Sequence, residues 1–474
     1  MTNEVFMGID IGTTSVKAAA FDGGGRRLGL FTEDYALDTS DGGRVIEFDP
    51  EKYAQICFRA VDEMLAVCGH IDAISVDTQG ETMILADAEG RPLAPAVVWL
   101  DNRAGEEAGM IKDRYGCEYV YGLTGQPEIT AGWPASKLLW FRLRRPEVFE
   151  AAEKIFLLED WILFRLTGSF VTEPCIQSSS VYFDIKKGDF DSGMLDFIGV
   201  PRRKLPEILP TGSVCGRYRG IPVVTGTLDQ LAGTLGSGVA DGSEISEMTG
   251  TIMAICAMCD GIPPYSPDSI IPCHVHAVRG KYCRILWSST AGMALKWFRT
   301  NFCENMTFRQ IDEAAVKVPA GCEGLTLLPY FTGSTMPRYN PDATASFTGI
   351  TLAHTRAHFA RAVMESVAFM LRQDLEYLGA DGIREIRITG GGASGTLWPQ
   401  IKADVTGKTL CTLTESETAC LGSAMIAAYG ISAFGSLSDA AKSLVRIKDR
   451  FTPSGADYSE AYRRFCEADR LLNR

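Results

Sequence analysis

The 474-residue chain has no apolar run approaching the ~18–20 residues that span a bilayer. Its first residues, Met-Thr-Asn-Glu-Val-Phe-Met-Gly, lack the basic n-region and cleavage site of a secretory signal. Both absences lead to the expectation of a cytoplasmic protein with no membrane partner. Positive charge is also short: 46 Lys and Arg stand against 59 Asp and Glu, a formal net charge of −13. That balance excludes a protein that wraps nucleic acid through phosphate contacts, and it leaves room for a local nucleotide site. No low-complexity tract occurs. No G-x-x-x-x-G-K-[ST] occurs, which excludes a Walker-type phosphate loop, and the opening lacks the G-x-G-x-x-G of a dinucleotide fold.

Cysteine, by contrast, is plentiful. The fourteen cysteines are scattered, mostly inside apolar stretches such as 54–68, and read as reduced core residues. Cys256-x-x-Cys259, followed by Cys273, His274 and His276, has the superficial spacing of zinc ligands. Residues 251–259 read instead as a buried strand, on which residues three apart point to opposite faces. Buried strand thiols are therefore the expectation, with a zinc site as the alternative.

Strands at 5–10, 16–21 and 27–35 are predicted, separated by Gly12-Thr13-Thr14 and Gly23-Gly24-Gly25, as an antiparallel meander. Asp49-Pro50 opens a helix in which Tyr53, Ile56, Cys57, Ala60, Val61, Met64 and Leu65 recur at helical spacing, and Gly69 ends it. A strand at 71–77 then delivers Thr78-Gln79-Gly80-Glu81, and another at 96–100 leads into Asp101. The second half echoes this order. Strands at 245–248 and 252–256 flank Thr249-Gly250-Thr251, and a helix at 358–378 precedes a strand at 385–389 and Gly390-Gly391-Gly392-Ala393. Two similar α/β lobes with a cleft between them follow, with residues 1–241 and 242–474 divided at the polar joint Ala240-Asp241-Gly242-Ser243.

Asp10-Ile11-Gly12-Thr13-Thr14-Ser15 combines a close-approach glycine, hydroxyl donors and a turn able to form an anion nest. An aspartate beside such a turn points to Mg²⁺. Thr249-Gly250-Thr251 is a second turn of the same kind, and the glycine run at 390–392 admits a flat ligand or serves as a flexible connection. Asp229, after the apolar run 223–225, opens a Gly/Ala-rich helix; it reads as a base for a substrate hydroxyl, as a helix cap, or as both. Gln79, Glu81, Asp101 and Arg103 are residue types that bind sugar hydroxyls, and Trp99 could pack a sugar face; the plain alternative is an exposed loop.

Together these segments resemble the FGGY family of carbohydrate kinases, on the actin/hexokinase-type (ribonuclease H-like) α/β fold. The resemblance covers almost the whole chain in order. Gly8-Ile9-Asp10-Ile11-Gly12-Thr13-Thr14 resembles the first phosphate loop, and Gly226-Thr227-Leu228-Asp229-Gln230 the segment of the catalytic aspartate. Thr249-Gly250-Thr251 resembles the second phosphate loop and Gly390-Gly391-Gly392-Ala393 the adenosine-site glycines. Residues 345–350 with His358-Phe359 and 362–365 fit the C-terminal signature spacing, and Pro134, Lys137 and Trp140 partly fit the N-terminal one.

The resemblance implies ATP and Mg²⁺ as cofactors, bound between the lobes, with Asp229 as general base and Asp10 and Asp229 on the metal. It places Gly12, Thr13, Thr14, Lys17, Thr249, Gly250, Thr251, Gly391, Gly392 and Ala393 in the nucleotide site, although Lys17 reads equally as an exposed strand lysine. Gln79, Gly80, Glu81, Trp99, Asp101 and Asp229 are the implied substrate residues. Xylulose kinases typically show Met-His-Gly where this chain has Gln79-Gly80-Glu81. Glycerol kinases show Gln-Arg-Glu-Thr, so Gly80 replaces a guanidinium and makes room. Trp99-Leu100-Asp101-Asn102-Arg103 is similar to the Trp-x-Asp-x-Arg of pentulose kinases. The implied acceptor is a ketopentose of the xylulose or ribulose type or a four- to five-carbon polyol, with glycerol the runner-up. The rival classes are an actin- or chaperone-like ATPase and a non-catalytic sugar sensor or repressor on the same fold. Such repressors carry N-terminal DNA-binding helices, whereas here the phosphate loop begins by residue 10. A homodimer is the implied assembly.

Overall fold

The computed structural model describes residues 4–472. The chain forms two compact units. One takes in the chain up to Ala240 with Met258–Arg284 and Glu417–Val445; the other comprises Asp241–Ala257, Ile285–Ser416 and the chain from Arg446 onward. The expected boundary at 241/242 marks only the first passage between units, because the chain returns twice to the first.

The first unit holds a six-stranded sheet in the order Val214–Tyr218, Ile221–Leu228, Ala73–Thr78, Val5–Ile11, Ser15–Asp22, Arg27–Asp34. The opening meander forms as expected, with Gly8 opposite Ala19 and Ala18 opposite Phe31. Val5–Ile11, Ala73–Thr78 and Ile221–Leu228 run parallel to one another. They are apolar along most of their length, as strands covered on both faces must be. The helix Pro50–Cys68 covers one face. Asp49 accepts from the Glu51 N–H at 2.9 Å, Pro50 occupies the first turn, and Gly69 closes the helix at φ 78°. On the other face the helix Thr418–Gly430 lies so close that a Cβ on Gly8 would stand 2.0 Å from the Cys420 carbonyl oxygen. This is why the return from residue 417 belongs to the first unit: small residues let helix and strand backbones meet.

The strand expected at 96–100 is shorter, Ala96–Val97. Asp101 ends it: its N–H bonds the Val98 carbonyl at 3.0 Å and its Oδ2 takes the Ile46 N–H at 2.7 Å, which turns the chain despite its β-branched composition.

Three buried carboxyls lie near the strand Ile221–Leu228. Glu159 accepts from the Gly226 N–H at 2.8 Å, Asp160 from the Leu157 N–H at 2.9 Å, and Glu173 from Thr211 Oγ1 at 2.7 Å. Burial pushes all three up, Asp160 to about 8. The folded chain therefore keeps protons that the unfolded chain releases near its ordinary carboxyl range. Stability is expected to fall as pH rises from about 4 to about 8, and Asp160→Asn to flatten that slope; denaturant titrations across this range check it.

The second unit is built on successive neighbours Met253–Cys259, Glu244–Thr249, Glu385–Thr389, Thr409–Leu413 and Ile447–Phe451, the middle three parallel. The helix Arg356–Leu378 buries Val363, Val367, Met370 and Leu371. Among the described residues no helix is long and apolar enough to cross a membrane, and no group of three or more His, Cys, Asp or Glu is placed to hold a metal. The zinc alternative at Cys256, Cys259, Cys273, His274 and His276 thus has no ligand cluster. Burial holds both histidines neutral, down at about 4.

Candidate active site

Three parallel strands of the first unit end side by side, and each delivers an acidic residue at its carboxyl end. Asp10 pairs in register with Asp77, and Asp77 in turn with Thr227, two residues before Asp229. Parallel α/β sheets bind ligands outside these ends. Asp10 and Asp77 lie side by side on neighbouring strands, each carboxyl within reach of the other's charge, and Ser423 Oγ donates to Asp77 Oδ2 at 2.5 Å. Burial pushes Asp10 up to about 6 against the pull of Lys17; burial and the Asp10 charge raise Asp77 well above its ordinary value. Lys17, opposite Asp10 on the next strand, pairs with Glu417 at 2.7 Å. Gly12 and Thr13 are partly buried and Thr14 is exposed in the turn that follows Asp10, which the Gly12 N–H closes on the Ser15 carbonyl at 3.0 Å. Asp229 is the first residue of the helix Asp229–Gly236. The cap position itself is Leu228, and the Asp229 Oδ1 accepts the adjacent Gln230 N–H at 2.6 Å. Asp77 carries no local sequence signal; only its register against Asp10 brings it into the site.

The loops at 79–81 and 99–103 are tied to this edge. The Gln79 N–H bonds the Ile11 carbonyl at 2.9 Å. Its Nε2 reaches the Tyr53 hydroxyl at 3.3 Å, while its buried Oε1 meets no donor among the described residues. Gly80 follows, and Glu81 sits at φ 60°, a left-handed conformation rare for a residue with a side chain. Lys137, fully buried and pushed down to about 7 by that burial, donates to the Glu81 and Val98 carbonyls at 3.0 and 2.9 Å. It thereby pins both loops at once. Trp99 is partly exposed, and its indole N–H donates to Thr13 Oγ1 at 3.0 Å. Asp101 is fully buried, and its carboxylate is taken up by the Arg103 fork at 2.8 and 2.9 Å and by two backbone N–H groups. Its place is to hold Arg103 against the Trp140 ring, 5.0 Å away.

In the second unit, Thr249, Gly250, Thr251 and Gly391 line one cavity of about 920 Å³ with Trp297, Asp312 and other side chains. Thr249 is buried and donates to Glu247 Oε1; Lys402 Nζ donates to Thr249 Oγ1 at 2.7 Å and to Glu247 Oε2 at 2.9 Å. The glycine run is demanded by this turn. Gly390 sits at φ 73° with its Cβ position 2.6 Å from the Thr249 carbonyl oxygen, and a Cβ on Gly392 would stand 2.4 Å from Thr249 Cβ. Gly392 is buried and Ala393 partly so, and neither is a wall of the cavity.

The N-terminal domain of the FGGY family of carbohydrate kinases matches residues 5–236, and the C-terminal domain matches residues 280–431. This chain belongs to the FGGY family. A xylulose kinase of Lactococcus lactis is 28% identical over 96% of this FGGY chain and 94% of its own. A glycerol kinase of Thermococcus gammatolerans is 30% identical over 94% and 93%. Among solved structures, a ligand-bound xylulose kinase from Lactobacillus acidophilus superposes with a TM-score of 0.90 over 99% and 98%, at 25% identity. The FGGY chain is therefore a carbohydrate kinase, and it transfers a phosphoryl group from ATP to a hydroxyl of a small sugar or polyol.

Proposed function

We propose that the acceptor is a ketopentose of the xylulose type, bound by the first unit and phosphorylated with Asp229 as general base. The observation that carries the reading is the set of acidic groups at the ends of three adjacent parallel strands, bordered by a loop whose Gln79 Oε1 is buried without a partner among the described residues and whose Gly80 carries no side chain. In this reading Gln79, Glu81 and Trp99 orient the acceptor, and Asp101 acts through Arg103. Asp229 takes the proton of the acceptor hydroxyl as its oxygen attacks the γ-phosphorus in line, and ADP leaves. Catalysis is chiefly positioning and charge neutralisation. Gly12, Thr13 and Thr14 bind phosphate, helped by Lys17; Thr251, Gly250 and Gly391 hold the nucleotide in the second unit, where Thr249, Gly392 and Ala393 shape the turn. The adjoining carboxyls of Asp10 and Asp77, with Asp77 Oδ1 buried and without a partner among the described residues, suit a hard cation, and Mg²⁺ characteristically uses one or two carboxylates plus phosphate oxygens rather than a protein cage. Mg²⁺ held by Asp10 and Asp229 would neutralise phosphate charge. The proposed setting is a cytoplasmic homodimer.

A second reading, glycerol as acceptor, is favoured by Gln79, Glu81 and Thr82 and by the 30% identity to a glycerol kinase. Coupled ADP release with Mg-ATP over ketopentoses, tetritols, pentitols, hexoses and glycerol separates the two. A pentulose is expected to be preferred; preference for glycerol overturns the proposal. Gly80→Arg sharpens the test, because a Cβ at this position meets the ends of the Leu228 and Ser179 side chains, 2.9 and 3.3 Å away, rather than backbone. It should lower kcat/KM for the pentulose relative to glycerol by about tenfold or more. An unmoved ratio would show that this loop does not border the acceptor.

A further inference from the structure

The cavity of the second unit contains a carboxylate that the folding of the chain does not explain. Asp312 lies on the helix Phe308–Ala315 and forms part of the cavity wall. It is half-buried, and burial alone pushes its carboxyl above the ordinary range. Among the described residues no donor or cation reaches its side chain; Arg309, on the same helix and also on the cavity wall, approaches Glu313 at 3.6 Å. A Cβ on Gly395 would stand 2.8 Å from Asp312 Oδ2, so the carboxylate rests directly on the chain that follows the glycine run. A half-buried charge without a partner is unfavourable for folding, and such groups gather where ligands bind.

A carboxylate only accepts hydrogen bonds. The phosphates of a nucleotide offer it no donor and repel it. The Watson–Crick edge of adenine offers the N6 amino group beside the acceptor N1, which satisfies one oxygen at most. The ribose 2′,3′-diol offers two adjacent hydroxyl donors, one for each oxygen. We propose that Asp312 binds the ribose hydroxyls of the nucleotide and sets the preference of this kinase for ribonucleotides over deoxyribonucleotides. The inference rests on the assignment of this cavity to the nucleoside.

Calorimetric titration with ADP and 2′,3′-dideoxy-ADP, in the absence of acceptor, tests it. The unmodified protein should bind ADP about tenfold or more tighter than the dideoxy nucleotide, the scale of hydrogen bonds to a charged group. In Asp312→Ala that ratio should fall to about one, through loss of ADP affinity alone. Thermal melts should show the variant folded, since the carboxylate has no partner to lose. An unchanged ratio in Asp312→Ala overturns the inference, as does a loss that instead tracks the 6-amino group when purine riboside diphosphate replaces ADP. Trp297→Ala separates the two levels. Equal weakening of both nucleotides supports the cavity assignment, so that an unchanged ratio in Asp312→Ala then condemns this inference alone. No effect of Trp297→Ala on either nucleotide overturns the cavity assignment and this inference together.

Discussion

Asp229→Ala is expected to lower phosphoryl transfer by roughly 10²–10⁴-fold while ADP binding stays within a few-fold of the unmodified protein. The expectation follows from position. Asp229 begins a helix at the end of a buried strand, one place after the cap residue Leu228, its charge is felt by Asp77 on the neighbouring strand, and its carboxylate accepts the adjacent Gln230 N–H. A capping aspartate would bond the amides two and three residues on, and its loss would cost about 1 kcal/mol of stability with no selective effect on turnover. The two roles therefore separate cleanly. A base predicts a large fall in kcat with a nearly unchanged melting temperature, and Asp229→Asn should fall as far, because an amide cannot take the proton. Turnover within tenfold of the unmodified protein in either variant would remove Asp229 from the chemistry.

The parts of this site that can be read in the amino-acid sequence are those whose chemistry lies in one short segment. Asp10 to Thr14 and Gly226 to Gln230 each place an acidic group next to a strand end and a turn within a few residues, and the helix Pro50–Cys68 announces itself through its own cap, proline and closing glycine. Asp77 is silent because its meaning is a register: it lies in an apolar strand, and only the parallel pairing with Asp10 makes it one of two adjoining carboxyls. The return of Thr418–Gly430 to the first unit is silent for a related reason. Its apolar, small-residue composition shows that it is buried, and not which sheet buries it; Gly8 decides that by leaving space at the strand. Asp101 shows the opposite failure. Its residue type suits sugar hydroxyls, but burial beside Arg103 commits both oxygens to the protein. The glycines at 390 and 392 likewise read as ligand space, whereas the Thr249 turn occupies the positions where their side chains would be.

Lys402→Met should cost about 3–5 kcal/mol of stability, the scale seen when one partner of a buried ion pair is removed. Lys402 and Glu247 are both fully buried, 2.9 Å apart, and Thr249 Oγ1 completes a closed triangle with them. The loss leaves a carboxylate in a site with no other cation described around it, which is far more unfavourable than the pair itself is favourable. Denaturant unfolding reads the loss directly. The double variant Glu247→Leu/Lys402→Met should recover most of it, because apolar groups can replace a buried pair at little net cost. Nucleotide affinity should behave differently. The triangle holds Thr249, and with it the Thr249-Gly250-Thr251 turn, against the glycine run that borders the cavity. Removing both charges takes away the two groups that orient the Thr249 hydroxyl, so ADP binding should remain weakened, by about tenfold, in a protein whose stability has been restored. Recovery of stability and affinity together would show that the pair serves the core alone. Recovery of stability without affinity would show that a lysine and a glutamate with no exposure to solvent are retained because they set the shape of a phosphate turn.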